Sequence, residues 1–119
     1  MATTVSRRPL SGSTNGLGVK VVQTATAGTT IHTAQSGTDT VDVVTLYATN
    51  SDSASVNLTI EFGGVSSPDD LIQLAIPATS GLTLVIPDLV LRNSLVIKAF
   101  AGTANVIMIH GFVNRVTTV

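Results

Sequence analysis

Short runs of β-branched and aliphatic residues, each closed by a cluster of turn residues, constrain the fold of this chain more than any other feature. Gly, Pro, Asn, Asp and Ser separate the runs from Val19 onward, which is typical of a β-sandwich or barrel. About eight strands fit the sequence. We place them at Val19–Thr24, Thr29–Ala34, Val41–Thr49, Ser55–Phe62, Leu71–Ile76, Leu82–Ile86, Leu95–Phe100 and Asn105–Val113.

The sequence therefore predicts an all-β fold: a single-domain, antiparallel, jelly-roll-like β-sandwich over residues 19–119. An extended arm over residues 1–18 precedes it, because this segment contains Pro9, Gly16 and Gly18 and has neither a helical nor a strand period. The best helical candidate is one turn at Ser67-Pro68-Asp69-Asp70, where serine can cap and proline can occupy the first helical position.

The predicted strands are of two kinds. In Ser55–Phe62 the residues Val56, Leu58, Ile60 and Phe62 alternate with Asn57, Thr59 and Glu61, which predicts one face in the core and one face in water. Leu71–Ile76 and Leu82–Ile86 follow the same rule less sharply. The strands at 41–49, 95–100 and 105–113 are instead apolar on both faces. A two-layer sandwich has no third layer to cover such second faces.

Two explanations are open for the second apolar faces. A strongly twisted sheet or the N-terminal arm could cover them within one chain, or a neighbouring subunit could do so. Only 11% of the residues are charged, against about a quarter in average domains, which favours a subunit contact. We therefore predict a homo-oligomer in which Val44, Leu46, Val96, Ile107 and Ile109, or their opposite-facing neighbours, meet another copy.

The sequence offers no recognisable catalytic or metal site. It has no cysteine and two histidines, His32 and His110, neither of which lies in a ligand motif. The adjacent Asp69 and Asp70 suit a capped turn better than a facing carboxylate pair. Aromatic residues make up 3% of the chain and the net charge is -1, which argues against nucleic-acid, carbohydrate and membrane binding. We predict no catalysis and no cofactor.

The N-terminal arm concentrates basic charge. Arg7 and Arg8 precede Pro9 and Leu10, and no acidic residue occurs before Asp39. No apolar run follows the arginines, so no secretory signal is predicted. Two interpretations of Arg7, Arg8, Pro9 and Leu10 remain: a basic arm that becomes ordered on a neighbouring protein, and a solvated tail.

Four stretches resemble a family of small tailed-bacteriophage capsid decoration (cement) proteins. They are VTLYATN at 44–50, LTIEFGG at 58–64, IPATSG at 76–81 and IHGFVNR at 109–115. The resemblance covers about two-thirds of the chain and includes no catalytic motif. It implies a trimeric β-sandwich, made in the host cytoplasm, that binds the major capsid protein on the outside of the virion and stabilises the shell.

Other functions are compatible with the same sequence features. A head-fibre base, tail or connector component would share the fold and the oligomeric habit. A lectin-like carbohydrate-binding module would need grouped aromatic residues or a calcium cluster, and the sequence shows neither clearly. An enzyme is the least favoured class.

Overall fold

A computed structural model describes residues 2–79 and 81–118. Within these residues the chain forms nine β-strands and no helix, and thus no helical segment that could span a membrane. The all-β prediction is confirmed. The strands are β1 (Thr3–Pro9), β2 (Val19–Lys20), β3 (Thr29–Thr33), β4 (Thr40–Asn50), β5 (Val56–Phe62), β6 (Leu71–Ile76), β7 (Thr83–Leu91), β8 (Val96–Ala101) and β9 (Ile107–Thr118).

The strands of the described chain form two antiparallel sheets. The five-stranded sheet has the order β1-β9-β4-β7, with β2 also paired to β9, and the four-stranded sheet has the order β3-β8-β5-β6. β1 pairs with residues 112–118 of β9, and β2 pairs with Met108 and Ile109 on the same side. The two strands thus share one position, interrupted at residues 10–18. Counted as one strand, they give a jelly-roll order in which successive strands mostly alternate between the sheets.

The core lies between the sheets and follows the period-2 alternation of the strands. On β4, Val44, Leu46 and Ala48 have no exposed surface. Equally buried side chains of the other strands in both sheets complete the core: Ile31, Leu58, Ile60, Ile76, Ile86, Ile97, Ala99, Ala101, Ile107, Ile109 and Val113. The inward half of the sequence pattern is therefore satisfied within one chain.

β7 is longer than predicted. The prediction ended this strand at Ile86 because proline lacks the N–H that a central strand donates. In the structure Val44 pairs with Leu89 and Leu46 pairs with Ile86, so Pro87 and Asp88 together lie opposite a single residue, Thr45. This is a β-bulge on an edge strand, where a proline can be accommodated.

The N-terminal segment is extended, and residues Thr3–Pro9 of it form β1. Every residue of β1 is exposed, so neither of its faces requires apolar side chains. This explains why the sequence of the segment has no strand period. The pairing with β9 fixes β1 through backbone hydrogen bonds and not through burial.

The segment at Ser67–Asp70 is a turn, and the prediction of a helical turn is wrong. The Asp70 amide donates to the Ser66 carbonyl (2.9 Å), and the Asp70 carboxylate accepts from the Ser66 amide (3.1 Å). These bonds close one turn, after which Leu71 enters β6. Asp70 has the capping role that was predicted for it.

The water-exposed face predicted for β5 is also partly wrong. Asn57 is exposed, but Thr59 and Glu61 are buried. The Glu61 carboxylate accepts hydrogen bonds from the Thr26 hydroxyl (2.6 Å) and from the amide of Gly28 (2.7 Å). The loop between β2 and β3 therefore folds over this part of the four-stranded sheet and covers its polar residues.

Candidate interaction face

The outer face of the five-stranded sheet, which points away from the four-stranded sheet, carries a broad set of apolar side chains among polar ones. The register places side chains of β1, β9, β4 and β7 in cross-strand rows on this face. Its apolar members are Val5, Val41, Val43, Tyr47, Leu84, Val90, Met108, Phe112 and Val116. We call this set the interaction face.

The exposure of the interaction face increases from its centre to its edges. Val41, Val43, Tyr47, Met108, Phe112 and Val116 lie on the two central strands and are half-buried by their neighbours in the sheet. On the flanking strands, Val5 is 65% exposed, Val90 60% and Leu84 48%. Large apolar side chains at such exposure, grouped on one side of a sheet, mark an interaction site more often than isolated ones do.

Two charged residues of this face, Arg7 and Asp88, lie near its middle row. The Arg7 guanidinium lies over the Phe112 ring, 4.6 Å from its centroid, and Arg7 Nε donates to Asn114 Oδ1 (3.0 Å). On the other side of the row, the Thr45 hydroxyl donates to Asp88 Oδ1 (2.8 Å). One positive and one negative group are thus held on opposite sides of the sheet centre.

The residues predicted to form the oligomer interface lie mostly on the other side of the sheet. Val44, Leu46, Ile107 and Ile109 are 0% exposed in the core of the single chain, so they have no surface to offer a partner. This corrects the prediction for these four. Their opposite-facing neighbours, which the prediction allowed, are the residues that line the interaction face.

Val96, the fifth predicted interface residue, lies apart from the others. It is half-buried on β8, where it pairs with Thr33 of β3 at an edge of the four-stranded sheet. The two sheets are different layers of the sandwich, so Val96 does not share a surface with the interaction face.

The structure separates the four arm residues. Arg7 projects onto the interaction face, whereas Arg8 alternates to the opposite side of β1, is exposed, and its Nε donates to the Ser6 hydroxyl (3.1 Å). Pro9 is exposed opposite Phe112. Leu10 is 2% exposed and belongs to the core, so it is unavailable for gripping a neighbouring protein, and its inclusion in the predicted arm site is wrong.

Buried His32 and Asp42 and the partly exposed Arg115 form a cluster at one end of the core. Arg115 binds the Asp42 carboxylate through two hydrogen bonds, from Nε to Oδ1 (2.8 Å) and from Nη2 to Oδ2 (3.0 Å). His32 Nε2 lies 2.7 Å from Asp42 Oδ2, and His32 Nδ1 accepts from the Ser11 amide (3.0 Å). Because an amide only donates, Nδ1 carries no proton and Nε2 is the donor to Asp42.

The electrostatics of the cluster favour the ionised carboxylate. Burial raises the pKa of Asp42, but the hydrogen bonds from Arg115 and His32, with the charge of the guanidinium, outweigh burial and hold that pKa below its ordinary value. The bond to Asp42 likewise raises the pKa of Arg115. Both ring nitrogens of His32 are engaged, so the cluster connects β3, β4, β9 and the segment at Ser11 and leaves no imidazole nitrogen open to a substrate.

This cluster was not identified from the sequence, although one signal was present. Asp42 lies on the inward-facing side of β4, on the same face as Val44, Leu46 and Ala48. A charged residue at a core position requires a partner. The identity of that partner was not readable, because Arg115 lies 73 residues away and becomes adjacent only through the β4–β9 pairing.

His110 and Gly18 meet at one edge of the five-stranded sheet. A Cβ atom on Gly18 would lie 2.7 Å from the His110 ring, so glycine allows the imidazole to pack against the backbone there. His110 is half-buried on its strand. No group of three metal-ligating side chains occurs among residues 2–79 and 81–118.

An open groove of about 310 Å³ lies on the outer side of the four-stranded sheet. It is lined by residues that include Val65, Leu71, Phe100 and the buried Glu61. Both Glu61 oxygens already accept hydrogen bonds from the covering loop, so the carboxylate serves to hold that loop.

No protein-family description, curated protein or solved structure matches this chain.

Proposed function

We propose that this chain is a non-catalytic structural subunit of a virion, which binds the outside of a bacteriophage capsid as a homo-oligomer and stabilises the shell. The observation that carries the proposal is the interaction face. Val5, Leu84 and Val90 are each about half to two-thirds exposed there. Burying one such side chain completely stabilises by about 1.5–3 kcal/mol, so covering this face is favourable.

The distribution of polar side chains supports a structural role. Asp42, Glu61 and His32 are buried, and each is bonded to groups of its own chain that connect strands or fasten a loop. These are the residue types that acid–base chemistry uses. Here they contribute to the rigidity of the sandwich.

The expected partners follow from the resemblance stated above, which implies other copies of this chain and the major capsid protein. A shell presents the same binding surface many times, so an oligomer that contacts several copies gains avidity from contacts that are individually weak. Arg8 is suited to such a contact because it is exposed on β1 and points away from the interaction face. We assign Arg8 to the shell contact and leave Pro9 out of it, because Pro9 lies opposite Phe112 on the side of the interaction face.

Binding to heads that lack this protein tests the proposal. Such heads would come from the phage that encodes the sequence, with the gene deleted, and the purified chain would be added back. We expect co-sedimentation at a fixed ratio to the major capsid protein, ordered density on the outer surface, and heads that resist heating better. Arg8→Glu should weaken co-sedimentation, and Asp69→Lys, a charge reversal on an exposed turn, should not.

Two results would refute the proposed role. Failure of the chain to bind these heads at micromolar concentration would remove the shell function. Density confined to the tail, connector or fibres would instead show a different virion component.

A further inference from the structure

We infer that the interaction face pairs with the same face of a second copy, around a two-fold axis that runs nearly parallel to the strands, so that Arg7 of each copy faces Asp88 of the other. This inference rests on the homo-oligomer of the proposed function but not on shell binding, and it departs from the trimer that the resemblance implies. It concerns which surface of the chain makes the homo-oligomer, and its test requires no capsid.

The first step is the position of the two charged groups along the strands. In the register, Phe112 of β9 lies opposite Thr45 of β4, and Thr45 bonds to Asp88 of β7. The guanidinium of Arg7 reaches into the same row because it lies over the Phe112 ring. Arg7 and Asp88 therefore lie at the same height, meaning the same position along the strand direction. They lie on opposite sides of the boundary between β9 and β4.

The second step is the symmetry that this arrangement allows. A two-fold axis along the strands, passing between β9 and β4, exchanges left and right on the face and leaves height unchanged. It therefore places Arg7 of one copy against Asp88 of its partner, and does so twice. An isologous contact must be self-complementary in this way.

The apolar rows obey the same operation. Val116 of one copy falls opposite Val41 of the other, and on the far side of the charged row His110 falls opposite Tyr47. Lys20 is the remaining charged residue of the face. It pairs with Met108 at one corner, where its long side chain can place the ammonium group in water. Two sheets stacked with nearly parallel strands at about 10 Å is a common packing of β-sandwiches.

The size of the face is sufficient for a stable pair. Four strands about 4.8 Å apart, with a rise of about 3.3 Å per residue, give the eleven-residue span of β4 an area of about 700 Å². Specific complexes bury about 800 Å² on each partner. The charged groups lie in the middle row and at one corner, and the remaining area carries the apolar side chains together with neutral polar ones at Thr49, His110 and Asn114.

Charge reversal in solution tests the pairing. Sedimentation equilibrium of the full chain should give an even-numbered assembly, dimeric at its lowest step. Arg7→Glu places two like-charged pairs in the contact, and Asp88→Lys does the same with the opposite sign, so each variant should raise the dissociation constant at least tenfold. Arg8→Glu is the matched control, since it reverses a charge on the same strand but on the other side.

Mixing the two variants gives the sharpest test. In a two-fold contact, a chain carrying Arg7→Glu and a chain carrying Asp88→Lys form a heterodimer with two opposite-charge pairs. The equimolar mixture should therefore associate at concentrations where each variant alone is monomeric. The double variant in one chain should also regain association. Val43→Thr, which keeps the side-chain shape and adds a hydroxyl, should weaken association in every background.

Four results would overturn the inference: a strictly monomeric wild-type chain at micromolar concentration, an odd-numbered assembly, no recovery on mixing, or equal effects of Arg7→Glu and Arg8→Glu. Circular dichroism of each variant separates loss of folding from loss of association. A chain that dimerises but does not bind heads would refute the shell role and leave this contact standing. A chain that binds heads as a trimer would refute the contact alone.

Discussion

Replacing Asp42 by asparagine tests how much the buried cluster contributes to stability. The substitution keeps the shape of the side chain and removes its charge. Asp42 accepts from two nitrogens of Arg115 and from His32, and these three donors use both oxygens. Asparagine has one oxygen and one NH₂ group, so at least one donor must face another donor.

The expected loss of stability is about 3 kcal/mol at neutral pH. Breaking a buried ion pair by removing one partner costs roughly 3–5 kcal/mol, and hydrogen bonds to charged groups contribute about 1.5–3 kcal/mol each. We take the lower end because the Arg115 side chain is 18% exposed and can recover some hydration. For a chain of this size, the loss corresponds to a decrease in Tm of about 10 °C.

Urea unfolding followed by circular dichroism measures this loss at a fixed protein concentration, since association would otherwise change the apparent stability. Its pH dependence identifies the cause. The pKa of Asp42 is lowered in the folded chain from its ordinary 3.8, so its contribution is fully present above that value and is lost as the pH falls through the folded-state pKa. The difference between the wild type and Asp42→Asn should therefore shrink below about pH 4.

The matched control is Asp69→Asn, which makes the same chemical change on an exposed turn residue. It should change the free energy of unfolding by less than about 0.5 kcal/mol. A loss at Asp42 no larger than that of the control, or a loss that stays constant down to pH 2, would show that the ion pair does not stabilise the fold.

Three further substitutions test the core and the covering loop. Leu58→Ala should destabilise by about 2–5 kcal/mol in urea unfolding, because Leu58 has no exposed surface; a loss below about 1 kcal/mol would contradict its core position. Glu61→Gln should speed amide exchange at Gly28, whose N–H it accepts; an unchanged rate there would show that Glu61 does not hold the loop. Gly111→Ala should cost about 1–3 kcal/mol, because its Cβ would overlap the Thr45 carbonyl oxygen; unchanged stability would mean that β4 and β9 can separate locally at little cost.

The sequence was sufficient for the features that depend on local alternation. β6 begins and ends at the predicted residues, and β4 differs from the prediction by one residue at each end. The bounds of both strands follow from runs of strand-forming residues with turn residues beside them, whichever face points inward. The end of β7 was missed because Pro87 normally stops a strand, and the bulge that accommodates it depends on pairing with β4.

The interface prediction left two faces open for a related reason. The strands at 41–49 and 105–113 were recognised as apolar on both faces, but alternation alone does not tell which face points inward. Val44 and Ile109 were named for the surface with their opposite-facing neighbours as the alternative, and packing against the second sheet buries both named residues. Only the sheet order distinguishes the core face of such a strand from its outer face.

The two kinds of buried charge in this fold explain why the interaction face can be apolar without disturbing the sandwich. Asp42 and Arg115 form an ion pair at one end of the core, and Glu61 fastens a loop over the other sheet. Both arrangements use charge within the chain, where each group has a fixed partner.

Few charges then remain for the outer face of the five-stranded sheet. Arg7 and Asp88 are held there by Asn114 and Thr45 at equal height. Scattered, mobile charges would keep copies apart, whereas Arg7 and Asp88 are held in place and are opposite in sign. Under the proposed pairing, the low charge of the sequence would suit a surface that associates with itself.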